Sequence, residues 1–338
     1  MRTTIKDVAR AANVSPSTVS LVLNNRPVPI SPETRERVYR AAKEMNYRPN
    51  QIAVALTSRK TNTIGVIIPD ISNIFHAAYC EQIERFAEAH SYSTIIRIAR
   101  NQVEDTIRFL YDFEDRAVDG VILTQSNFRD ANATAACMRA VHELRIPVML
   151  TDRVPSGFTD GAVLPNDYLG GRLAAQHLID LGHRNIGCIA GDAHDENTKD
   201  RIRGYQDALS EAGIGYDPTL IFYGNWHIES GLRALPYLLG KQVTGIFAFN
   251  DMMAYGVYKQ ARSYNLRIPD DISVVGFDDL VFSDLIDPPL TTLEYPVARM
   301  AEAVVERLLE KIEGAAASTE PVVVDPILKV KGSTGRLR

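Results

Sequence analysis

Two groups of residues in this 338-residue sequence have the types and spacing to do chemistry. The first recurs at the ends of short apolar runs: Asp70, Arg100, Asp152, Asp192, Asn225-Trp226, Asn250-Asp251 and Asp278-Asp279. Carboxylates and amides repeated at such ends suit a cleft for a polar ligand, although a share of them serve as caps of the following helix. The second group lies near the N-terminus, where Pro16, Ser17, Thr18, Ser20 and Leu21 fall within one short segment. Hydroxyls there can bond phosphates or base edges, and a leucine can touch a thymine methyl. Catalytic constellations are missing from the sequence: there is no G-x-S-x-G, no H-E-x-x-H, no P-loop and no G-x-G-x-x-G after the first apolar run. The seven histidines are dispersed, and His177 and His183 read as structural. Asp278-Asp279 reads as a ligand contact plus a local cap rather than an acid/base pair. Cys80, Cys137 and Cys188 are too scattered for a disulfide framework or a zinc site, so buried free thiols are expected. No enzyme activity, metal or cofactor is expected.

The hydroxyl-rich segment needs a scaffold, and the first 49 residues supply one. Thr4 with Asp7 three residues on makes a capping-box pattern, and Ile5, Val8, Ala9 and Ala12 repeat at helical spacing. Ser15-Pro16 and Ser31-Pro32 each pair an N-cap with a proline suited to the first helical position. Val19, Val22 and Leu23 give the second helix a buried side; Val38, Ala41, Ala42 and Met45 do so for the third, which Tyr47-Arg48-Pro49 ends. Two short helices, a turn holding Val14 and a packing third helix match a helix-turn-helix, with the second helix entering the major groove. From Asn50 a further short helix carries Ile52, Ala53, Ala55 and Leu56. It is too short to be stable alone, so a twin copy and DNA would have to cover it, with Leu56 as a wedge in the minor groove. An ordinary linker is the alternative.

Charge separates this head from the rest. Residues 1–60 hold 11 Lys+Arg against 4 Asp+Glu, a balance of +7, inside a chain of net charge −5. The remainder is therefore at −12, and a basic head on an acidic body is the footprint of nucleic-acid binding joined to a second function. No run of 18 apolar residues exists and the N-terminus has no apolar core, so neither a membrane span nor a signal peptide is expected, and the expected compartment is the cytoplasm. From Thr63 onward, strand candidates at 64–69, 93–99, 119–124, 147–152, 161–165, 185–191, 220–225, 245–250 and 272–278 alternate with helical patterns. That is a doubly wound parallel α/β pattern, with length for two such halves.

The runs TIKDVARAANVSPSTVSLVLNN, SPETRERV, YRPNQIAVAL and TIGVIIPDISNIF resemble the LacI/GalR family of bacterial repressors. The resemblance continues through LGHRNIGCIAGD, IRGYQDAL, FNDMMAYGV, IPDDISVVGFDD and PPLTTLEYP. It implies an N-terminal all-α helix-turn-helix domain (1–49), a hinge helix and linker (50–61) and an effector-binding and dimerisation domain (62–338). The last would be α/β, two-lobed and periplasmic-binding-protein-like, with an N-lobe at about 62–163 and 293–321 and a C-lobe at about 164–292 and 322–336. The 296–314 stretch would be an N-lobe helix.

The implied function is sequence-specific transcription regulation, as a repressor of a carbohydrate uptake or catabolism operon. The implied DNA contacts are Thr4, Lys6, Ser15, Pro16, Ser17, Thr18, Ser20, Leu21, Asn24, Thr34, Tyr47, Asn50, Ala53 and Leu56. Leu21 stands where members often carry arginine, and Pro16-Ser17 where a larger polar or aromatic residue is common, so a different operator sequence is expected. Asp152, Arg201, Asn250 and Asp278 match ligand-gripping positions, and Trp226 an aromatic that packs on the ligand. Phe75 and Arg100 are weaker candidates. The partners implied are a near-palindromic double-stranded DNA operator, a sugar or sugar-phosphate effector and a second copy of the chain. With no heptad tail after Arg338, a homodimer is expected rather than a tetramer. The resemblance of VIIPDISNIF to global catabolite regulators makes a phosphocarrier protein the weaker alternative partner. A periplasmic binding protein would share the body but not residues 1–60.

Overall fold

A computed structural model of the chain describes residues 3–23, 28–47, 60–124, 131–155, 158, 160–315 and 318–337. The chain divides into two compact units, Met1–Thr61 and Asn62–Arg338.

In the first unit the cap residues act as their types suggest. The Thr4 N–H and hydroxyl both donate to the Asp7 carboxylate, at 3.0 and 2.7 Å, and open helix α1, Ile5–Ala12. Asn13 closes it in the left-handed region (φ 51°), which asparagine tolerates better than most residues. Ser15 Oγ accepts the Thr18 N–H at 3.0 Å and opens α2, Pro16–Leu23; Ser31 opens α3, Pro32–Glu44, in the same way. Val8, Ala9, Ala12, Val19, Val22, Val38, Ala41 and Ala42 form the shared core, with Val14 from the turn packed against it. The small alanines let the helices approach closely, and the Tyr39 hydroxyl ties α3 to α2 by donating to the Val22 carbonyl at 3.1 Å.

The second unit contains two six-stranded sheets. The first, in the order β11-β5-β4-β3-β1-β2, uses β1 (Thr63–Ile68), β2 (Ser93–Ile98), β3 (Gly120–Thr124), β4 (Val148–Thr151), β5 (Ala162–Pro165) and β11 (Val322–Val324). The second, β12-β10-β9-β8-β6-β7, uses β6 (Ile186–Ala190), β7 (Ile221–Tyr223), β8 (Gly245–Ala248), β9 (Ser273–Asp278), β10 (Thr291–Glu294) and β12 (Ile327–Lys329). All described pairings are parallel except β10 with β12. Both faces of the first sheet are covered. Ile64, Val66 and Ile68 point to one core, and Ile67, Val121 and Leu123 to another built with Phe109, Phe113 and Cys137. This two-sided burial is why its central strands read as unbroken apolar runs.

The sequence reading missed β10, β11 and β12, which are three or four residues long and too short to show a period. β11 pairs with β5 in the first sheet, so residues 322–324 belong with that lobe rather than with the C-lobe expected from 322 onward. The Val297–Ile312 helix packs on the first sheet and on the Ile74–Ala89 helix. The tail returns to the second sheet, where His183 bridges Thr244, Ser273 and the Gly335 carbonyl. Cys80, Cys137 and Cys188 are buried free thiols. No helix among the described residues is long and apolar enough to cross a membrane.

Candidate functional site

The ordered sheet positions decide where a ligand can lie. In both sheets the strand order reverses beside the first strand of the lobe, β1 in one and β6 in the other. The crevice beyond the carboxyl ends of such strands is the binding position of open α/β folds. The residues there come almost entirely from strand ends and the first turns after them. Asp70 and Asn73 follow β1; Asp152 and Arg153 follow β4; Asp167 follows β5; Asp192 follows β6. Trp226 and His227 follow β7, Asn250 follows β8, Asp278 ends β9 and Tyr295 follows β10.

The crevice has two compartments. The inner one, of about 20 Å³, is lined by Asn73, Phe75, Asp152, Arg153, Asn197, Arg201, Trp226, Asn250, Asp278 and Tyr295. The outer one, of about 200 Å³, is lined by Pro69, Asp70, Asn73, His76, Asn101, Arg153, Asp192, Asn225, Trp226 and His227. Asn73, Arg153 and Trp226 form the wall between them.

Trp226 is the only tryptophan in the chain and is held from every side. Its ring lies so close to Gly191 that a Cβ there would sit 2.1 Å from the ring atoms. Its indole N–H donates to Asp195 at 2.9 Å, and its carbonyl accepts from the Asn250 amide at 2.9 Å. The Arg153 and Arg201 guanidinium groups stand 5.1 and 5.5 Å from the ring centre. The backbone turns through φ 69° there, a conformation costly for a bulky residue and sustained by these contacts.

Arg201 is 3% exposed. Its Nε donates to Asp167 at 2.6 Å, its Nη1 donates to the Phe249 carbonyl, and its cation sits 3.6 Å from the Phe277 ring centre. The close crossing of the Asp167–Asp180 and Glu196–Glu211 helices sets this geometry. Gly171 and Gly204 lie against the opposing backbone, where a Cβ would meet Arg201 O at 2.1 Å and Tyr168 O at 2.0 Å. Burial pushes the Asp167 carboxyl up to about 6, against the pull of the Arg201 charge. Burial likewise holds the Asp278 carboxyl well above the usual carboxylate range, and the neighbouring Asp251 adds to this. Asp251 itself is structural: it accepts from the Thr292 and Ser283 hydroxyls, both at 2.6 Å, and from the Leu280 N–H at 2.8 Å. Burial raises its carboxyl to about 6.

Contacts across the crevice join the two lobes. The Tyr295 hydroxyl donates to Asp152 Oδ1 at 2.6 Å, His227 Nε2 stands 3.7 Å from Asp70 Oδ2, and the Asn197 amide reaches the Asp152 carbonyl at 3.5 Å. Asp152 Oδ2 has no hydrogen-bond partner although the residue is only 5% exposed.

Of the expected cleft residues, Phe75, Asp152, Arg201, Trp226, Asn250 and Asp278 come together around the inner compartment. Arg100 does not. Its side chain is 72% exposed and turns to Asp105, 3.6 Å away, because residue 100 adopts a left-handed turn (φ 53°) before the Val103–Asp115 helix. The neighbouring Asn101 lines the outer compartment instead. The sequence reading missed Asp167, Arg153, Tyr295, Asn73, His76 and Asn197. Asp167 was within its reach, since LPND is another apolar run ending in polar residues; the others sit one step beyond a strand end or on a helix.

In the first unit, Pro16, Ser17 and Leu21 are exposed on one side of α2, with Ser20 and Thr18 partly buried. Thr4 and Lys6 are exposed, while Thr34 and Tyr47 are partly buried. Asn24, Asn50, Ala53 and Leu56, and with them the whole 50–58 hinge, lie outside the described residues.

Comparison with known proteins agrees with both units. Residues 4–50 match the model of bacterial regulatory proteins, lacI family, and residues 175–334 the periplasmic binding protein-like domain. The HTH-type transcriptional regulator DegA of Bacillus subtilis (strain 168) is 34% identical over 100% of this chain and 99% of its own. The chain belongs to the LacI family. Among other members, the ribose operon repressor of Haemophilus influenzae is 33% identical, covering 99% of each chain. A lac repressor dimer bound to operator and the anti-inducer ONPF superposes with a TM-score of 0.88, at 28% identity, over 99% of this chain and 100% of that one. The LacI-family assignment joins a helix-turn-helix head to a two-sheet parallel α/β body of the periplasmic-binding type.

Proposed function

We propose that this LacI-family transcription regulator is a repressor whose operator affinity is set by a small sugar-like molecule in the crevice between its two sheets. The observation that carries the reading is Trp226. A flat ring held rigidly at the mouth of the inner compartment, flanked by carboxylates, amides and two guanidinium groups, is the surface a sugar needs for its apolar face and its hydroxyls. The proposed contacts are Phe75, Asp152, Arg201, Trp226, Asn250 and Asp278. The relatives fit: one is named for a ribose operon, and the lac repressor structure holds operator and ONPF together.

On the DNA side, the proposed reader is one side of α2, namely the exposed Pro16, Ser17 and Leu21 with the partly buried Ser20, carried by a head with a balance of +7. A two-fold dimer would read a near-palindromic site. Support for the dimer lies in Val281, Phe282, Leu285 and Ile327, which are 47–73% exposed despite being large and apolar. Val281 and Ile327 border a groove of about 810 Å³ beside the Ile74–Ala89 helix. The contacts Tyr295–Asp152 and His227–Asp70 span the crevice, so a ligand that competes with or completes them shifts lobe closure, and with it the equilibrium between DNA-competent and incompetent dimers.

The test is thermal unfolding of the full chain with a panel of sugars, purines and a phosphocarrier protein, followed by operator footprinting with any ligand that stabilises. A sugar should raise the melting temperature and change protection of a palindromic site. No shift with any sugar or purine overturns the crevice as the effector site, and a shift with the phosphocarrier alone moves the effector to the surface.

A further inference from the structure

The outer compartment contains an acceptor with nothing to accept. His76 lies in the first turn of the Ile74–Ala89 helix and is 2% exposed. Its Nδ1 stands 2.7 Å from the Asp70 backbone carbonyl. A carbonyl oxygen only accepts, so Nδ1 carries the proton and Nε2 is left as a bare lone pair. Nε2 is buried without a hydrogen-bond partner, and the residue lines the compartment. A buried acceptor kept open in a native fold calls for a partner that the protein itself does not provide.

The surrounding groups narrow what that partner is. Asp70 and Asp192 put two carboxylates on the same wall, and Asn225 an amide. Arg153, the arginine of this lining, lies over the Trp226 ring and 3.7 Å from the Asp152 carboxylate. One of the two helix N-termini here is capped, Asn73 Oδ1 taking the Phe75 N–H at 3.1 Å, while the Ile228–Leu239 helix has no side-chain cap at His227. Asp70 already accepts from the Ser72 N–H and hydroxyl, both at 2.8 Å, and Asp192 from the His194 N–H at 3.0 Å, but a carboxylate has about four acceptor sites, so with His76 Nε2 this wall still asks for hydrogen-bond donors.

We propose that the outer compartment takes a neutral, polyhydroxylated ligand that donates a hydroxyl to His76 Nε2, and that this wall selects neutral sugars over phosphorylated ones. The inference rests on the reading of the crevice as the effector site and names the class of effector. The phosphate group of a sugar ester is mostly dianionic at pH 7, has no proton of its own to offer Nε2 and would face Asp70 and Asp192 across a cavity of about 200 Å³. A hydroxyl of a neutral sugar satisfies Nε2 directly, and further hydroxyls can donate to the two carboxylates.

The test uses the full chain, with Trp226 emission and titration calorimetry as readouts. The probes are glucose, galactose, fructose, ribose, cellobiose, maltose, lactose and sucrose, with glucose 6-phosphate and ribose 5-phosphate as charged counterparts. At least one neutral sugar should bind, with its phosphate ester weaker by about 100-fold or more, as like-charge juxtaposition requires. His76→Phe should weaken the neutral sugar about tenfold, the equivalent of one hydrogen bond, and His76→Gln, which keeps an acceptor, should recover most of it. Equal or tighter binding of a phosphate ester overturns the proposal while leaving the crevice as effector site. So does an unchanged affinity in a folded His76→Phe variant. The wild-type comparison of neutral and charged probes decides the selectivity even if that variant does not fold. If no probe of either kind binds, the sugar reading of the crevice falls and this proposal with it.

Discussion

The buried pair Arg201–Asp167 offers the sharpest test of how the crevice is held together. Arg201→Met keeps an unbranched side chain of similar length but removes three things at once. Asp167, 5% exposed, loses its cation at 2.6 Å; the Phe249 carbonyl loses its donor; and the Phe277 ring loses a charge 3.6 Å from its centre. Breaking a buried pair from one side costs about 3–5 kcal/mol, because the remaining charge is left without compensation. Asp167 is already displaced upward to about 6 and would relieve part of this by taking a proton, which places the effect toward the lower end at neutral pH. Urea unfolding read at Trp226, whose ring stands 5.5 Å from the same guanidinium, reports on this lobe directly. With a slope of about 3 kcal/mol per molar, the midpoint should fall by about 1–1.5 M. Adding Asp167→Asn should restore about 1–3 kcal/mol, since the stranded carboxylate is then gone. A midpoint shift below about 0.3 M for Arg201→Met, or a double variant less stable than the single one, refutes the claim that the pair anchors the crevice.

Other consequences are open to measurement. Burial depresses His76 to about 4, so between that pH and its ordinary 6.5 the unfolded chain binds more protons than the folded one, and stability rises with pH across this window. The effect totals about 3 kcal/mol, whereas Asp167 and Asp251, raised to about 6, slope the other way; subtracting the melting profile of His76→Phe from wild type isolates the His76 part, and a flat difference from pH 4 to 6.5 contradicts it. Leu285→Glu, at a residue 73% exposed, should turn the dimer into a monomer in sedimentation at micromolar concentration, and a persistent dimer places the interface elsewhere. Leu21→Ala should lower specific operator affinity by about fivefold to tenfold, the scale of one apolar base contact, and leave non-specific binding within about twofold. In the same titrations affinity should fall about 1,000-fold or more between 50 and 200 mM salt, as several phosphate contacts from the basic head require; a shallow slope argues against such contacts.

Local sequence set the three head helices and the longer strands and helices of the body, in order, with β10, β11 and β12 excepted. Caps at Thr4, Ser15 and Ser31 act through neighbours three residues away, so the head could be read locally. The long strands of both sheets declare themselves because burial on two faces demands unbroken apolar runs, and the polar residues ending them point to a crevice. What lay beyond reach was set by partners distant in the chain. Strands β10, β11 and β12 exist because neighbouring strands offer them hydrogen bonds, not because their own residues show a period. Arg100 and Arg201 are both arginines in polar surroundings. Only the glycine-mediated crossing of two helices sends one onto Asp167, and only a left-handed turn sends the other to Asp105 and solvent. The unfilled acceptor on His76 is likewise a tertiary fact, since it depends on the carbonyl of Asp70 fixing which nitrogen carries the proton and on the fold placing no protein donor within reach of the other. Residue types and local spacing chose the kind of chemistry; the packing of one lobe against the other decided which atoms are left free to perform it.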